Sequence, residues 1–222
     1  MIVTTLKDIE TIKAFLKGYG SIAIIGCGAC AAACQTGGKD DVMRIANILS
    51  TDFNITVKTV VDEACHHLLT RKQLRDLKDA INNSDCLLAM TCGAGVQCLA
   101  ELFPDKKTVP SSDTHILGNV LRVGQFKNYC SMCGECTLDQ TEGFCTKTRC
   151  PKSHVNGPCG GMHDGKCEVF PDKDCVFISI YNKRKTNSSK NVSKDIKGRD
   201  FSKKIDELEL PRKNEHLRKK NN

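Results

Sequence analysis

Residues 130–175 read CSMCGECTLDQTEGFCTKTRCPKSHVNGPCGGMHDGKCEVFPDKDC. This segment holds eight cysteines in 46 residues, and Gly, Pro, Lys, Thr and Asp take the places that Leu, Ile and Val would fill in a packed domain. It cannot bury enough apolar surface to fold by the hydrophobic effect alone. We therefore expect cross-links to hold it together, and disulfides, zinc ions and iron–sulfur clusters are the candidates.

The rest of the chain favours metal over disulfides. The N-terminus, MIVTTLKDIE, lacks the basic region and apolar run of a signal peptide. No apolar stretch approaches the roughly 20 residues that a membrane helix needs. We therefore predict a cytoplasmic protein with no membrane segment, and in that compartment dense cysteine spacing is typical of metal binding.

The spacing of the first cysteines favours iron–sulfur clusters. Cys130-x2-Cys133-x2-Cys136 resembles the ferredoxin run whose three thiolates hold three corners of a [4Fe–4S] cube, and Cys150-Pro151 is a candidate for the fourth ligand. Zinc sites more often show two CxxC pairs, of which only the first is present, so zinc stays as the alternative. The candidate ligands of the segment are Cys130, Cys133, Cys136, Cys145, Cys150, Cys159, Cys167 and Cys175.

Upstream of this segment, apolar runs alternate with helical patterns. The periodicity predicts strands at 21–25, 55–61, 86–90 and 107–109 and helices at 5–17, 40–49, 71–81 and 96–102. Such alternation predicts an α/β fold with a parallel, Rossmann- or flavodoxin-like sheet. We expect this domain at 1–120, the cysteine-rich module at 121–181 and a basic tail at 182–222.

The predicted sheet makes a geometric prediction about five further cysteines. In a parallel sheet all strands end at one edge, where ligand sites collect. Cys27, Cys65 and Cys92 follow three successive strands, so they should meet there with Cys30 and Cys34. We expect a second metal site at this edge, built from C-x2-C-x3-C plus Cys65 or Cys92.

The loop after the first strand has a rival interpretation. Gly26-x-Gly28-x-x-Ala31 resembles a dinucleotide fingerprint, in which glycines admit a pyrophosphate to a helix N-terminus. Alternatively, glycines let the backbone approach a cluster and donate amide hydrogen bonds to sulfur. Gly26, Gly28 and Gly93 are the candidate cofactor-binding glycines. We see no Ser-His-Asp arrangement, HExxH motif or P-loop, and expect no catalytic site in this chain.

Two smaller groups of residues are assigned structural roles. We expect Cys86, inside a strand, and Cys98, on a helix, to be core residues rather than ligands. Residues 182–222 carry 14 Lys and Arg against 6 Asp and Glu. This tail is expected to be a solvated extension, in which Phe201, Ile205 and Leu208 form one face of a short helix that docks on a partner protein; nucleic-acid binding is the less favoured alternative.

Several motifs resemble one known family. They are Ile25-Gly26-Cys27-Gly28-x-Cys30, Cys92-Gly93-Ala94-Gly95, Cys130-x2-Cys-Gly-x-Cys, Asn156-Gly-Pro-Cys-Gly-Gly161 and Gly165-Lys-Cys-Glu-Val169. Together they resemble the MetV-type small subunits of methylenetetrahydrofolate reductase, found in acetogenic and related anaerobic bacteria. The resemblance covers about residues 20–185 and leaves the basic tail out.

The resemblance implies an electron-transfer role in one-carbon metabolism of the Wood–Ljungdahl type. Such subunits partner a TIM-barrel catalytic subunit, which alone carries FMN and reduces methylene-tetrahydrofolate to methyl-tetrahydrofolate. The small subunit is thought to hold [4Fe–4S] clusters, here two or three, with zinc as a further metal. The alternative is a zinc-binding structural subunit of the same complex without a redox role. The upstream electron donor is left open.

Overall fold

The computed structural model describes residues 1–187. The chain divides into two compact units, Met1–Tyr129 and Cys130–Asn222. The predicted docking helix at Phe201, Ile205 and Leu208 lies outside the described residues. Between residues 1 and 187, no helix combines the length and the apolar character that crossing a membrane requires.

The first unit contains most of the regular structure. Its strands are β1 (Ile2–Leu6), β2 (Ser21–Cys27), β3 (Asn54–Val61), β4 (Cys86–Met90), β5 (Lys107–Pro110), β6 (Ser112–Arg122) and β7 (Gln125–Cys130). Its helices are α1 (Ile9–Leu16), α2 (Cys30–Ala33), α3 (Lys39–Leu49), α4 (His67–Gln73), α5 (Lys78–Asn82) and α6 (Gly93–Leu102).

The predicted parallel sheet is confirmed. Four parallel strands lie in the order β3-β2-β4-β5, with Gly26 of β2 opposite Val60 of β3 and Met90 of β4. Strand order reverses direction between β2 and β4, as in flavodoxin-like sheets. The crevice outside the ends of these two strands is therefore the expected ligand site of this topology.

Two apolar layers cover the sheet, one on each face. One includes Leu74, Ile81 and Leu99 from the α4–α6 side, and the other includes Ile12, Ile45 and Leu49 from α1 and α3. Because β2 and β4 contribute to both layers, they must be apolar at every position, which is why SIAII and CLLAM are unbroken apolar runs.

The helix predicted at 5–17 is wrong in its first third. Residues 2–6 form β1, and α1 begins only at Ile9. Asp8 starts the helix by accepting hydrogen bonds from the amides of Glu10 and Thr11 at 3.0 and 3.1 Å. The helix predicted at 71–81 is also broken in two, because the 3-10 turn Arg75–Leu77 separates α4 from α5.

A second sheet was not predicted at all. Strands β1, β6 and β7 form an antiparallel sheet in the order β1-β6-β7, and Thr4 pairs with Thr114 across 110 residues of chain. Local periodicity carries no information about so distant a partner. This sheet is what brings the N-terminal strand to the cysteine loops described below.

The second unit has little regular structure. It contains the 3-10 turn Leu138–Thr141, the one-turn helix α7 (Thr146–Arg149) and the longer helix α8 (Val176–Asn187). Across residues 130–175, all of which the structure describes, Cys175 is the single apolar side chain that is buried. This agrees with the expectation that the segment lacks an apolar core, while its metal content stays a prediction.

Candidate metal centres

Three cysteines stand where three neighbouring parallel strands end. Cys27 is the last residue of β2, Cys92 lies two residues past β4, and Cys65 lies four residues past β3. Since these strands are adjacent in the sheet, the loops after them share one edge. We call this edge, with Cys27, Cys30, Cys34, Cys65 and Cys92, the crest.

The thiols of the crest are close enough to influence one another. Partial burial raises the pKa of Cys65, and the thiol of Cys92 raises it further, followed by those of Cys27 and Cys30. Thiolates that crowd together repel, so ionising one makes the next harder to ionise. Four cysteines from the three loops after β2, β3 and β4 therefore lie near one another at the crest.

The second sheet supports the crest from the N-terminus of the chain. The amide of Ile2 donates to Cys30 Sγ at 3.4 Å, and Cys34 Sγ lies 3.7 Å from the Ile2 carbonyl oxygen. Next along β1, the Thr4 and Thr36 hydroxyls form a buried hydrogen bond of 2.7 Å. Strand β1 therefore fixes the position of the loop that carries Cys30 and Cys34.

Cys27 has the most enclosed thiol surroundings of the crest. The Ala64 amide donates to Cys27 Sγ at 3.5 Å, and the Asp62 carbonyl oxygen lies 3.8 Å from the same sulfur. Cys27 and Cys92 are both buried, whereas Cys65 is exposed. The crest thus offers amide donors to sulfur on its inner side and one solvent-facing ligand.

Of the candidate glycines, Gly26 is required by packing, and Gly28 and Gly93 contribute backbone hydrogen bonds that any residue except proline could make. A Cβ on Gly26 would stand 2.3 Å from the Gly37 carbonyl oxygen, so packing alone requires glycine there. The amide of Gly28 donates to the Val61 carbonyl at 2.7 Å, and that of Gly93 to Thr114 Oγ1 at 2.9 Å. A direct role of these glycines at a cofactor stays a prediction.

The loop geometry argues against the dinucleotide interpretation. The helix that follows Gly26 and Gly28 is α2, which has only four residues and no side-chain hydrogen bond at its cap, Ala29. Pyrophosphate binding at this position relies on the N-terminus of a full helix.

Both cysteines assigned to the core are indeed buried. Cys86 is fully buried in β4, and burial raises the pKa of its thiol to about 11. Cys98 is 7% exposed on α6, and its pKa is raised by burial, by Glu101 and by Cys65. Cys98 therefore lies beside the crest without being open to it.

In the second unit, Cys133 has the surroundings of a thiolate. A backbone hydrogen bond at Glu135 lowers its pKa, and the Lys147 ammonium, 3.9 Å from the sulfur, lowers it further. Cys145 and Cys150 flank α7, and Cys145 Sγ lies 3.4 Å from Thr148 Oγ1. A thiolate is the form that binds metal.

The later cysteines of the second unit lie near a charged pair. Cys159 Sγ is 3.8 Å from Glu168 Oε2, and Glu168 forms an ion pair with Lys152. Cys159 and Cys167 both act electrostatically on Lys152 and help to raise its pKa, after the hydrogen bond to Glu168. Cys159 and Cys167 therefore share one neighbourhood.

The thiols have not converged on a single point in either unit. Between residues 1 and 187, no three His, Cys, Asp or Glu side chains are grouped closely enough to hold a metal ion as they stand. The donor chemistry nevertheless fits a thiolate-bound metal or cluster. The crest provides sulfur ligands with amide donors, and the buried Thr146 Oγ1 beside Cys145 has no hydrogen-bond partner in the described chain.

Sequence reasoning missed two groups that touch these sulfurs. The contacts of the Ile2 backbone with Cys30 and Cys34 could not be predicted from the sequence, because they depend on the long-range pairing of β1. Lys147 had a usable signal, since it is a cation two residues after Cys145 in a cysteine cluster. His66 caps α4, because its Nδ1 accepts a hydrogen bond from the Leu69 amide at 3.3 Å.

Comparison with family models gives one match. Residues 109–202 match the model described as methylene-tetrahydrofolate reductase C terminal. No curated protein and no solved structure matches the chain. The matched range starts in β5 and contains the NGPCGG and GKCEV motifs that carried the family resemblance, which is thereby confirmed. Residues 109–202 of this chain belong to the methylene-tetrahydrofolate reductase C-terminal family.

Proposed function

We propose that this chain is the iron–sulfur electron-transfer subunit of a methylenetetrahydrofolate reductase complex. It would pass electrons to the FMN of a TIM-barrel catalytic partner, which reduces methylene-tetrahydrofolate to methyl-tetrahydrofolate. The observation that carries the proposal is the placement of Cys27, Cys65 and Cys92 after three adjacent parallel strands, at one edge of the sheet, in a chain with this family match. We further propose a cytoplasmic location, where free thiols persist.

The crest cysteines would hold one [4Fe–4S] cluster, which accepts and releases single electrons. Cys27 and Cys92 bind from the buried side and exclude water there. The amides of Ile2 and Ala64 donate to Cys30 Sγ and Cys27 Sγ, which stabilises negative charge on these sulfurs and so favours the reduced state. Cys34, beside the Ile2 carbonyl, completes the C-x2-C-x3-C run and is a candidate ligand together with Cys27 and Cys30, with Cys65 or Cys92 as the fourth.

The second unit would hold at least one further cluster. Cys133 is its best-prepared ligand because its pKa is lowered. Its neighbours Cys130 and Cys136 complete the CxxCxxC run, and Cys150 is the candidate for the fourth ligand. The alternative is that zinc fills these sites and the subunit shapes the complex without carrying electrons. The sparse core of residues 130–175 suits that alternative as well.

Metal analysis separates the two proposals. On anaerobically purified protein, about eight or more irons per chain with matching acid-labile sulfide are expected, since each cubane holds four. Dithionite reduction should then produce the EPR signal of reduced clusters. One or two zinc ions per chain with negligible iron and sulfide would refute electron transfer and leave the structural role.

Single variants test the ligand assignment. Cys27→Ser and Cys133→Ser should each lose about four irons while the other site stays loaded. Cys86→Ala is the matched control, because Cys86 is buried in β4 away from the crest, and its iron content should equal that of the wild type. Loss of all iron from every variant alike would contradict two independent sites.

A further inference from the structure

A cationic groove runs along the α4–α5 segment, which begins two residues past Cys65 of the crest. It has a volume of about 720 Å³ and is lined by residues of α4, the following turn, α5 and α6. Four of its residues are the exposed cations Arg71, Lys72, Arg75 and Lys78. A single carboxylate, Glu101, faces them from α6.

Within the part of the chain that the structure describes, the charged ends of these four side chains have no partner. Among residues 1–187, no ion pair or hydrogen bond joins their charged ends to another group, whereas Lys7, Lys13, Lys152 and Lys166 each have a carboxylate partner. Asp76 and Asp79 lie on the same stretch of chain but do not line the groove. The groove therefore presents concentrated positive charge to solvent.

The arrangement suits a protein surface better than a small anion. Cations at positions 71, 72, 75 and 78 extend over about 10 Å of helical rise, which is more than one phosphate can bridge. An exposed apolar side chain, Leu68, stands among them with 70% of its surface accessible. Charged rims around an apolar contact are the usual composition of protein interfaces.

One end of the groove lies near the exposed candidate ligand of the crest. His67, which lines it, is two residues from Cys65. From the α6 side, Cys98 feels the charges of both Glu101, in the groove, and Cys65, at the crest. One end of the groove therefore lies near Cys65, while Glu101 and Phe103 line its other end, at the C-terminal end of α6.

We propose that this groove docks an acidic protein that carries a single electron and delivers it to the crest. The proposal rests on the proposed function and identifies the class of the upstream donor. In each encounter the reduced carrier loses one electron, the crest site gains one, and no bond is made or broken. The cations steer the carrier by complementary charge, and Leu68 provides the apolar contact.

A charge-reversal variant with a matched control tests the groove. Arg71→Glu/Arg75→Glu changes the charge by −4 at the groove, and Lys17→Glu/Lys58→Glu makes the same change at exposed sites on the α1 and α3 side. Stopped-flow absorbance follows reduction of the full-length, iron-loaded protein by a reduced plant-type ferredoxin as the acidic carrier, and by dithionite in parallel.

The groove variant should be reduced by ferredoxin about tenfold or more slowly at low ionic strength, while the control variant changes little. The difference should nearly vanish at about 0.5 M salt, where the screening length is only about 4 Å. Dithionite should reduce both variants at the same rate. Leu68→Ser should raise the dissociation rate of the carrier with no change in salt dependence.

Equal slowing of both variants, or no slowing of the groove variant, would overturn the proposal. The proposal would also be overturned if the groove variant kept the wild-type rate of reduction by ferredoxin but lost binding of ATP or inorganic pyrophosphate. That result would assign the groove to a small anion. If the wild type holds no iron, the proposed function fails by itself. Calorimetric titration with ferredoxin then still decides whether the groove binds an acidic protein.

Discussion

Replacement of Gly37 by Ala should damage the first unit more than any other single methyl group added to the crest loops. Gly37 lies between α2 and α3, and its carbonyl accepts the Cys27 amide at 2.9 Å. A Cβ at this position would stand 1.9 Å from the Met90 carbonyl oxygen and 3.0 Å from the Ala31 Cβ. The loop and the end of β4 would have to separate.

The size of the effect follows from that distance. Real Cβ contacts stay above 3.0 Å, so Gly37 and Met90 must move apart by at least 3.0 − 1.9 = 1.1 Å. Both clashing groups are held by backbone, which leaves no side chain to rotate away. Overpacking costs about 1–3 kcal/mol, and loss of the hydrogen bond to Cys27 adds about 1 kcal/mol. We expect a free energy of unfolding lower by about 3 kcal/mol.

Urea unfolding followed by circular dichroism measures this change. With a slope of about 2 kcal/mol per molar urea, the midpoint should fall by about 1.5 M. Samples must have equal metal content, because a metal bound to the native state adds to its stability. In samples that are not matched for metal content, the Gly37→Ala variant should contain less iron at the crest. The reason is that the Gly37 carbonyl accepts the hydrogen bond from the Cys27 amide.

Gly93→Ala is the matched control. A Cβ on Gly93 would stand 3.6 Å from Thr114 Oγ1, an ordinary contact, and Gly93 is the first residue of α6. Replacing glycine by alanine without strain stabilises by about 0.4–1 kcal/mol. If Gly37→Ala lowers the free energy of unfolding by less than about 1 kcal/mol, the close approach of the loop to β4 described here is incorrect.

Three further predictions concern other parts of the first unit. Thr36→Val should lower the free energy of unfolding in urea by about 1–3 kcal/mol, because it leaves the buried Thr4 hydroxyl without its partner. Thr4→Val should lower it by about 1 kcal/mol, because the Thr36 hydroxyl still donates to the Ala31 carbonyl. Equal costs would contradict this hydrogen-bond assignment. The pKa of Asp85 is lowered chiefly by backbone hydrogen bonds from Ser21 and Gly20, so its stabilising contribution is present above its usual value of 3.8 and lost as pH falls through the lowered folded value. The stability difference between wild type and Asp85→Asn should accordingly shrink in acid, and a difference that grows there would reverse the assigned sign. Because burial raises the pKa of Cys86 to about 11, iodoacetamide at pH 8 should label it only after unfolding, as judged by mass spectrometry.

The parallel sheet could be predicted because its signals are local. SIAII and CLLAM are continuous apolar runs, and a strand buried on both faces requires just such a run whatever it pairs with. Once parallel strands are inferred, the positions of Cys27, Cys65 and Cys92 after three of them follow from topology alone. The structure places these three loops at one edge, as predicted.

The errors concern features that depend on distant partners. Thr5 and Leu6 fit an apolar helical pattern, but β1 gains hydrogen bonds from β6, more than 100 residues away, that a helix there would forgo. Parallel-sheet topology placed the crest cysteines at one edge, but it could not predict which of their thiols lie closest together. Which thiols group around Cys65, and which one turns to the Ile2 carbonyl, depends on how β1 positions α2.

The amino-acid sequence by itself determined the α/β order of the first unit, the lack of an apolar core in residues 130–175 and the family of residues 109–202, because periodicity, composition and motif spacing are properties of the local chain. Only the tertiary structure decided that the second sheet supports the crest and that Arg71, Lys72, Arg75 and Lys78 face a groove beside Cys65. Those features arise from contacts between residues remote in sequence. Such contacts, and the free energy that they contribute, exist only when the whole unit is folded.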